Sequence, residues 1–306
     1  MEAHSHEPAT LVQLKVAAKS GMRPLEISGR FMELATDDLS ALRRAVQSLE
    51  HPGLAARLTN LVGKPIELIG HALPAFASDA IATATSKGLE VALKVALRTM
   101  QHRPSAGSQL LHKALATASG AAGGAFGLST LAIELPVSTI IILRSIADIA
   151  RSEGEDLSDP EAALSCVQVF ALGGRAADAS ESGYFTLRGM LAKTVSEAAR
   201  FIAERGVIEQ GAPVLVRFIT QVASRFGAVV TQKVAAQALP IIGALGGAAV
   251  NYAFIEHFQE MAKGHFTVRR LERAYGKDIV RAEYERIAQQ LETSGAGAKA
   301  AATSSY

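Results

Sequence analysis

Apolar residues in this chain recur at three- and four-residue spacing, and Pro, Gly and capping residues separate the runs, a rhythm that predicts helices. TDDLSALRRAVQSLEH (36–51) opens on Thr36 as a capping candidate, with Asp37 and Asp38 placed to complement the helix dipole. SDAIATATSKGLEVALKVALRTMQHR (78–103) sets Leu89, Leu93, Ala96 and Leu97 against Lys87, Lys94 and Arg98, as an amphipathic helix with a basic solvent side would. SDPEAALSCVQVFALGG (158–174) has a start in Asp159 and Pro160 and a stop in Gly173–Gly174. Helices follow over 181–206, closed by Gly206, and from Pro213 to the end of PVLVRFITQVASRFGAVVTQKVAAQAL. The segment 240–264 is expected to stop at Gly264, and two shorter helices follow, capped by Thr267 and Asp278 and parted by Gly276.

Strand signals are nearly absent, and no Asn-Gly or Asp-Gly hairpin turn occurs. The expected fold is therefore all-α, a single multi-helix domain of about nine or ten helices with Gly/Ala-rich central helices. Residues 1–35 read as a partly disordered N-terminal tail, 36–292 as the domain, and the low-complexity 293–306 as a disordered C-terminal tail.

Two stretches interrupt the amphipathic rhythm. Residues 114–133 and 234–255 carry no charge, and each is about the 20 residues that a bilayer span needs. Both contain glycines four apart (Gly120/Gly124, Gly123/Gly127, Gly243/Gly247), a spacing that lets helix backbones approach closely in membranes and in soluble cores alike. Ala and Gly add little insertion free energy, while Glu134 and Pro136 interrupt the first stretch and Gln237, Pro240 and Asn251 dilute the second. Buried helices of a soluble domain are the simplest reading, with interfacial attachment next and true spanning last. Pro136 is expected to divide the first run into two helices meeting at a bend.

Composition narrows the function classes. The 306 residues hold 31 Lys and Arg against 29 Asp and Glu, a net charge of +2 that gives no reason to expect nucleic acid as a partner. Aromatics make up 5% and Trp is absent, so stacking platforms for bases are few. Cys166 is the only cysteine and sits among Ala163, Leu164 and Val167, as a small core residue does. MEAHSHEPATLVQLK has no basic start followed by an apolar core, so a cytoplasmic place is expected, peripheral at the inner face of the membrane if lipid is bound.

Candidate chemistry rests on few residues. Glu134 lies in an apolar run, where burial would favour its protonated form and suit an acid or base, although a carboxyl satisfied by a backbone N–H or one cation is the ordinary case. Arg144, Asp148 and Arg151 share a helix face with Val137, Ile140 and Ile141, opposite Leu143, Ile146, Ile149 and Ala150. A surface salt-bridge row explains them; an internal cluster would need Glu134 to fold back across Pro136. Arg217, Gln221, Arg225 and Lys233 fall on one i, i+4 row, a solvated face or a contact for anionic lipid or phosphate. EHFQEMAKGH (256–265) lacks the spacing that sets two imidazoles on one face, so no metal site is expected, and His265 reads as a turn or capping residue. GAAGGAFG and GALGG match no phosphate-binding loop, and no cofactor is expected.

The blocks GAFGLSTLAIELPVSTIIILRSIADIARSEGEDLSDPE (124–161), SESGYFTLRGMLAK (180–193) and AAQALPIIGALGGAAVNYAFIEHFQEMAKGHFTVRRLERAYG (235–276) resemble the EcsC protein family. The resemblance implies a helical fold, a bacterial origin and a link to the membrane or to transport, and it implies no catalytic set. Three readings compete. One is a non-enzymatic, membrane-associated accessory protein that binds lipid, an apolar ligand or a membrane transport partner. Another is a hydrolase-type enzyme with a buried site around Glu134, Arg144 and Asp148, joined by His265, acting on a small or lipid substrate. The last is a homo-oligomer paired through Gly-lined helices.

Overall fold

The computed structural model describes residues 34–50, 53–63, 75–99, 131–173, 183–205, 212–237 and 243–303. The Pro65–Pro74 segment, most of the uncharged 114–133 stretch, Gly206 and nearly all of the N-terminal tail lie outside them. Among the described residues there are nine α-helices and no strand: α1 (Thr36–Glu50), α2 (Leu54–Val62), α3 (Ala75–Thr99), α4 (Leu131–Ser152), α5 (Pro160–Leu172), α6 (Tyr184–Arg205), α7 (Pro213–Gln237), α8 (Gly243–Tyr275) and α9 (Lys277–Thr303). The chain divides into Met1–Leu39 and Ser40–Tyr306. In the first unit, Ala35 leads into α1 by accepting from the Leu39 N–H at 2.8 Å. All packing described below is within the second unit.

Helix α5 is the most deeply buried. Asp159 caps it, its carboxylate accepting from the Glu161 N–H at 3.1 Å, and Pro160 occupies the first turn, where a missing N–H costs nothing. Every residue from Ala162 to Leu172 is buried, so the helix is apolar all round, as a central helix must be. Phe170 on α5 meets Phe226 on α7 and Phe258 on α8, with ring centroids 4.8 and 5.2 Å apart, and Phe254 joins the same cluster. Cys166 is buried beside them and donates to the Ala162 carbonyl at 3.5 Å, the small core residue that its apolar surroundings suggest.

Two expectations about helix ends are corrected. Pro136 does not divide α4, which runs unbroken from Leu131 to Ser152. The proline is near the N-terminal end, where it forfeits a single ladder bond, and the side chains of Ser138 and Thr139 fold back onto the Leu135 carbonyl at 3.1 and 2.6 Å. Gly88 on α3 lets α4 come close here: a Cβ at that position would stand 3.2 Å from Thr139 Oγ1 and 3.6 Å from Pro136 Cα. Nor does Gly264 stop a helix, and Thr267 caps none; α8 continues through both to Tyr275. Gly264 marks a crossing instead, because an added Cβ would come within 2.8 Å of Leu49 Cγ and 3.3 Å of the Ala45 carbonyl on α1. The true stop is Gly276, in the left-handed region at φ +92°, with its N–H on the Glu272 carbonyl. Beyond it α9 extends through residues 293–303, the stretch that composition alone assigns to a tail.

Candidate functional site

Lys233 and Glu134 form the most enclosed ion pair in the described structure. Lys233 Nζ donates to Glu134 Oε1 at 2.8 Å, with the lysine side chain 0% and the glutamate side chain 7% exposed. The ammonium also stands 5.0 Å from the centroid of the Phe254 ring. Burial pushes the Lys233 pKa down, and the Glu134 carboxylate pulls it part of the way back. Glu134 is therefore buried, as the apolar run around it predicts, and held by one cation.

Lys233 belongs by spacing to the row of Arg217, Gln221 and Arg225, yet it is no surface contact for lipid: its side chain is fully buried. Successive i, i+4 steps advance a helix position by about 40° each, so from Arg217 to Lys233 the row rotates by roughly 160°. Arg217 is exposed on the outer side of α7 and Arg225 is half-buried, whereas Lys233 has turned into the core.

Arg144 and Asp148 are not brought to Glu134. Ten residues along one continuous helix place Arg144 roughly 15 Å from Glu134, and the arginine is exposed. Asp148 accepts from Arg151 at 3.1 Å, half-buried on the same face. Val137 is exposed beside Arg144, while Leu143, Ile146, Ile149 and Ala150 are buried, so the two sides of α4 are those the helical wheel predicts. A site assembled from Glu134, Arg144 and Asp148 does not exist.

His265 is no turn residue. It is fully buried in the middle of α8, where the Tyr184 hydroxyl lies 2.8 Å from its Nδ1. Burial, with the charges of Arg188 and Arg269 adding to it, holds the imidazole well below its ordinary pKa and hence neutral. Tyr184 is itself pushed up to about 12 by burial. Arg188 donates to the Tyr184 hydroxyl at 3.4 Å and grips Glu272 with two bonds of 2.8 and 2.7 Å. On the other side Glu50 accepts from the Tyr184 N–H at 3.1 Å and from the Tyr284 hydroxyl at 2.7 Å, and the two tyrosine rings stack at 5.5 Å.

A second set of charges continues from there. The turn after α4 presents Glu153 and Glu155 to one face of α8, with Gly154 between them at φ +81°. Glu155 is clasped by Arg269 through bonds of 2.8 and 3.0 Å and also by Arg273. Burial pushes the Glu155 carboxyl up, but the two guanidiniums outweigh it and leave it below its ordinary value. Glu153 accepts from Arg270 at 2.8 Å and from Thr267 at 3.3 Å, while its carbonyl takes a 2.6 Å bond from Arg273. Sequence reasoning missed this clasp. RSEGE (151–155) and VRRLER (268–273) are complementary in charge, but no local spacing rule pairs segments so far apart.

The charged groups here are engaged with one another, while His265 Nε2 is buried with no hydrogen-bond partner among the described residues. Among the described residues no three His, Cys, Asp or Glu side chains converge in a way that could hold a metal ion.

The architecture is that of an all-α protein whose longest helix collects buried charge pairs, with an apolar helix, α7, running beside it. A family model for the EcsC protein family matches residues 36–271, and the chain belongs to that family. No curated protein and no solved structure matches it.

Proposed function

We propose that this is a non-enzymatic, membrane-associated accessory protein, cytoplasmic and peripheral at the inner face of the membrane, which binds lipid or a membrane partner. The observation that carries this reading is α7. It is the one described helix long and apolar enough to cross a bilayer, and only 39% of its most apolar window is buried. A core helix of a soluble domain would have most of that window covered, as α5 has. Val216 at 52% exposure stands on its outer side. Arg217 and Arg225 make a span costly, so contact from the surface fits α7 better than insertion through the bilayer.

The enzymatic alternative loses its support with the separation of Glu134, Arg144 and Asp148. Fractionation of expressing cells tests the proposal: the full chain is expected to sediment with membranes and to be released by alkaline carbonate. Recovery entirely in the soluble fraction at low ionic strength would refute it.

A further inference from the structure

The outer side of α7 does not stand alone. Helix α6 lies antiparallel beside it, with Arg217 3.6 Å from Glu197 and Arg225 donating to the Met190 sulfur at 3.9 Å. Two of the basic residues on this pair of helices are committed elsewhere, Arg188 to Glu272 and Lys233 to Glu134. Of the rest, five are cationic (Lys193, Arg200, Arg205, Arg217 and Arg225), against two carboxylates, Glu197 and Glu204, both on α6. α7 contains no acidic residue.

The local ion pairs along the seam are loose. Lys193–Glu197, Arg200–Glu204 and Arg217–Glu197 span 3.9, 3.9 and 3.6 Å, and their three cations are 60–84% exposed. Pairs of that kind hold their partners weakly and exchange readily for another anion. Met190 on α6 and Val216 on α7 are 59% and 52% exposed, two of the five large apolar side chains left open on the described surface.

We propose that the α6–α7 seam is the docking surface for an anionic bilayer: Lys193, Arg200, Arg217 and Arg225 meet lipid phosphates while Met190 and Val216 enter the headgroup layer. The proposal rests on the membrane-associated reading and names the surface and lipid class through which it acts. A lipid surface answers both halves of the pattern, because phosphates satisfy the cations and the acyl boundary takes the apolar pair. A nucleic acid would use the cations but leave Met190 and Val216 without a role, and no exposed aromatic accompanies them for stacking on bases. The helices then lie along the membrane plane, not across it.

Flotation of the full chain with phosphatidylcholine vesicles, alone or with roughly one-third phosphatidylglycerol, tests this, alongside the K193Q/R200Q/R217Q/R225Q variant. A cation near an anionic surface contributes about a fivefold change in partitioning, so the variant is expected to bind the anionic vesicles at least ~100-fold more weakly. Binding by the native chain should also fall steeply with added salt and be absent on pure phosphatidylcholine. Lys193, Arg200 and Arg217 are exposed and Arg225 is half-buried, and an unchanged thermal melt establishes that the variant is folded. If native chain and variant float equally well, the seam is wrong and the membrane reading survives. If the native chain floats with neither vesicle, both fail. Retardation of a random RNA that the four substitutions abolish, without flotation, would reassign the seam to polyanions and overturn the proposal.

Discussion

Lys233 brings an ammonium into the interior of the protein, and a single carboxylate, Glu134, answers it. Taking two charges out of water is expensive, and their attraction repays the cost only while both are present. Glu134→Gln or Lys233→Met alone should therefore lower the unfolding free energy by about 3–5 kcal/mol, whereas Glu134→Leu with Lys233→Met should recover most of the loss. Urea unfolding of the singles and the double measures this; a double mutant as unstable as the sum of the singles would show that the pair is not the isolated unit described. Half of this interaction was legible in the sequence. A carboxylate in an apolar run announces its burial, but its partner is 99 positions away and belongs by spacing to a surface row. Only the rotation of that row over four turns takes Lys233 inward, and spacing read one step at a time conceals it.

Helix boundaries show the same division between local and distant causes. Asp159, Pro160 and Gly173 act within a few residues of themselves, so the start and stop of α5 follow directly from the sequence. Gly264 acts across a helix crossing, and nothing in its neighbourhood distinguishes a contact glycine from a terminating one. Substitution separates the two roles. Gly264→Ala forces a methyl against Leu49 and the α1 backbone and should destabilise by about 1–3 kcal/mol. Gly189→Ala on α6 meets nothing within 4 Å and should stabilise by roughly 0.5–1 kcal/mol through helix propensity. Thermal melts of both variants check the contrast, and a neutral Gly264→Ala would mean that α1 and α8 cross less closely than described.

At the scale of the whole molecule, α8 gathers long-range polar contacts from several of the described helices. Along its length it meets Arg57 of α2 through Glu256 and Glu260, Ser145 of α4 through Gln259, Gly173 through His257, Tyr184 through His265, and the Glu153–Glu155 turn through its arginines. The all-α fold was legible because helical periodicity is local. This network was not, because each contact joins segments 80 or more positions apart. α7 is the one described helix long and apolar enough to cross a bilayer, with 39% of that window buried. The chain contains no tryptophan, so one placed at Val216 reports on that surface without background. The emission of V216W should shift to shorter wavelength when anionic vesicles are added, while that of A282W, on the exposed side of α9, should stay where it is. Emission from V216W that is unchanged by vesicles, or a shift as large in A282W, would contradict membrane contact through α7.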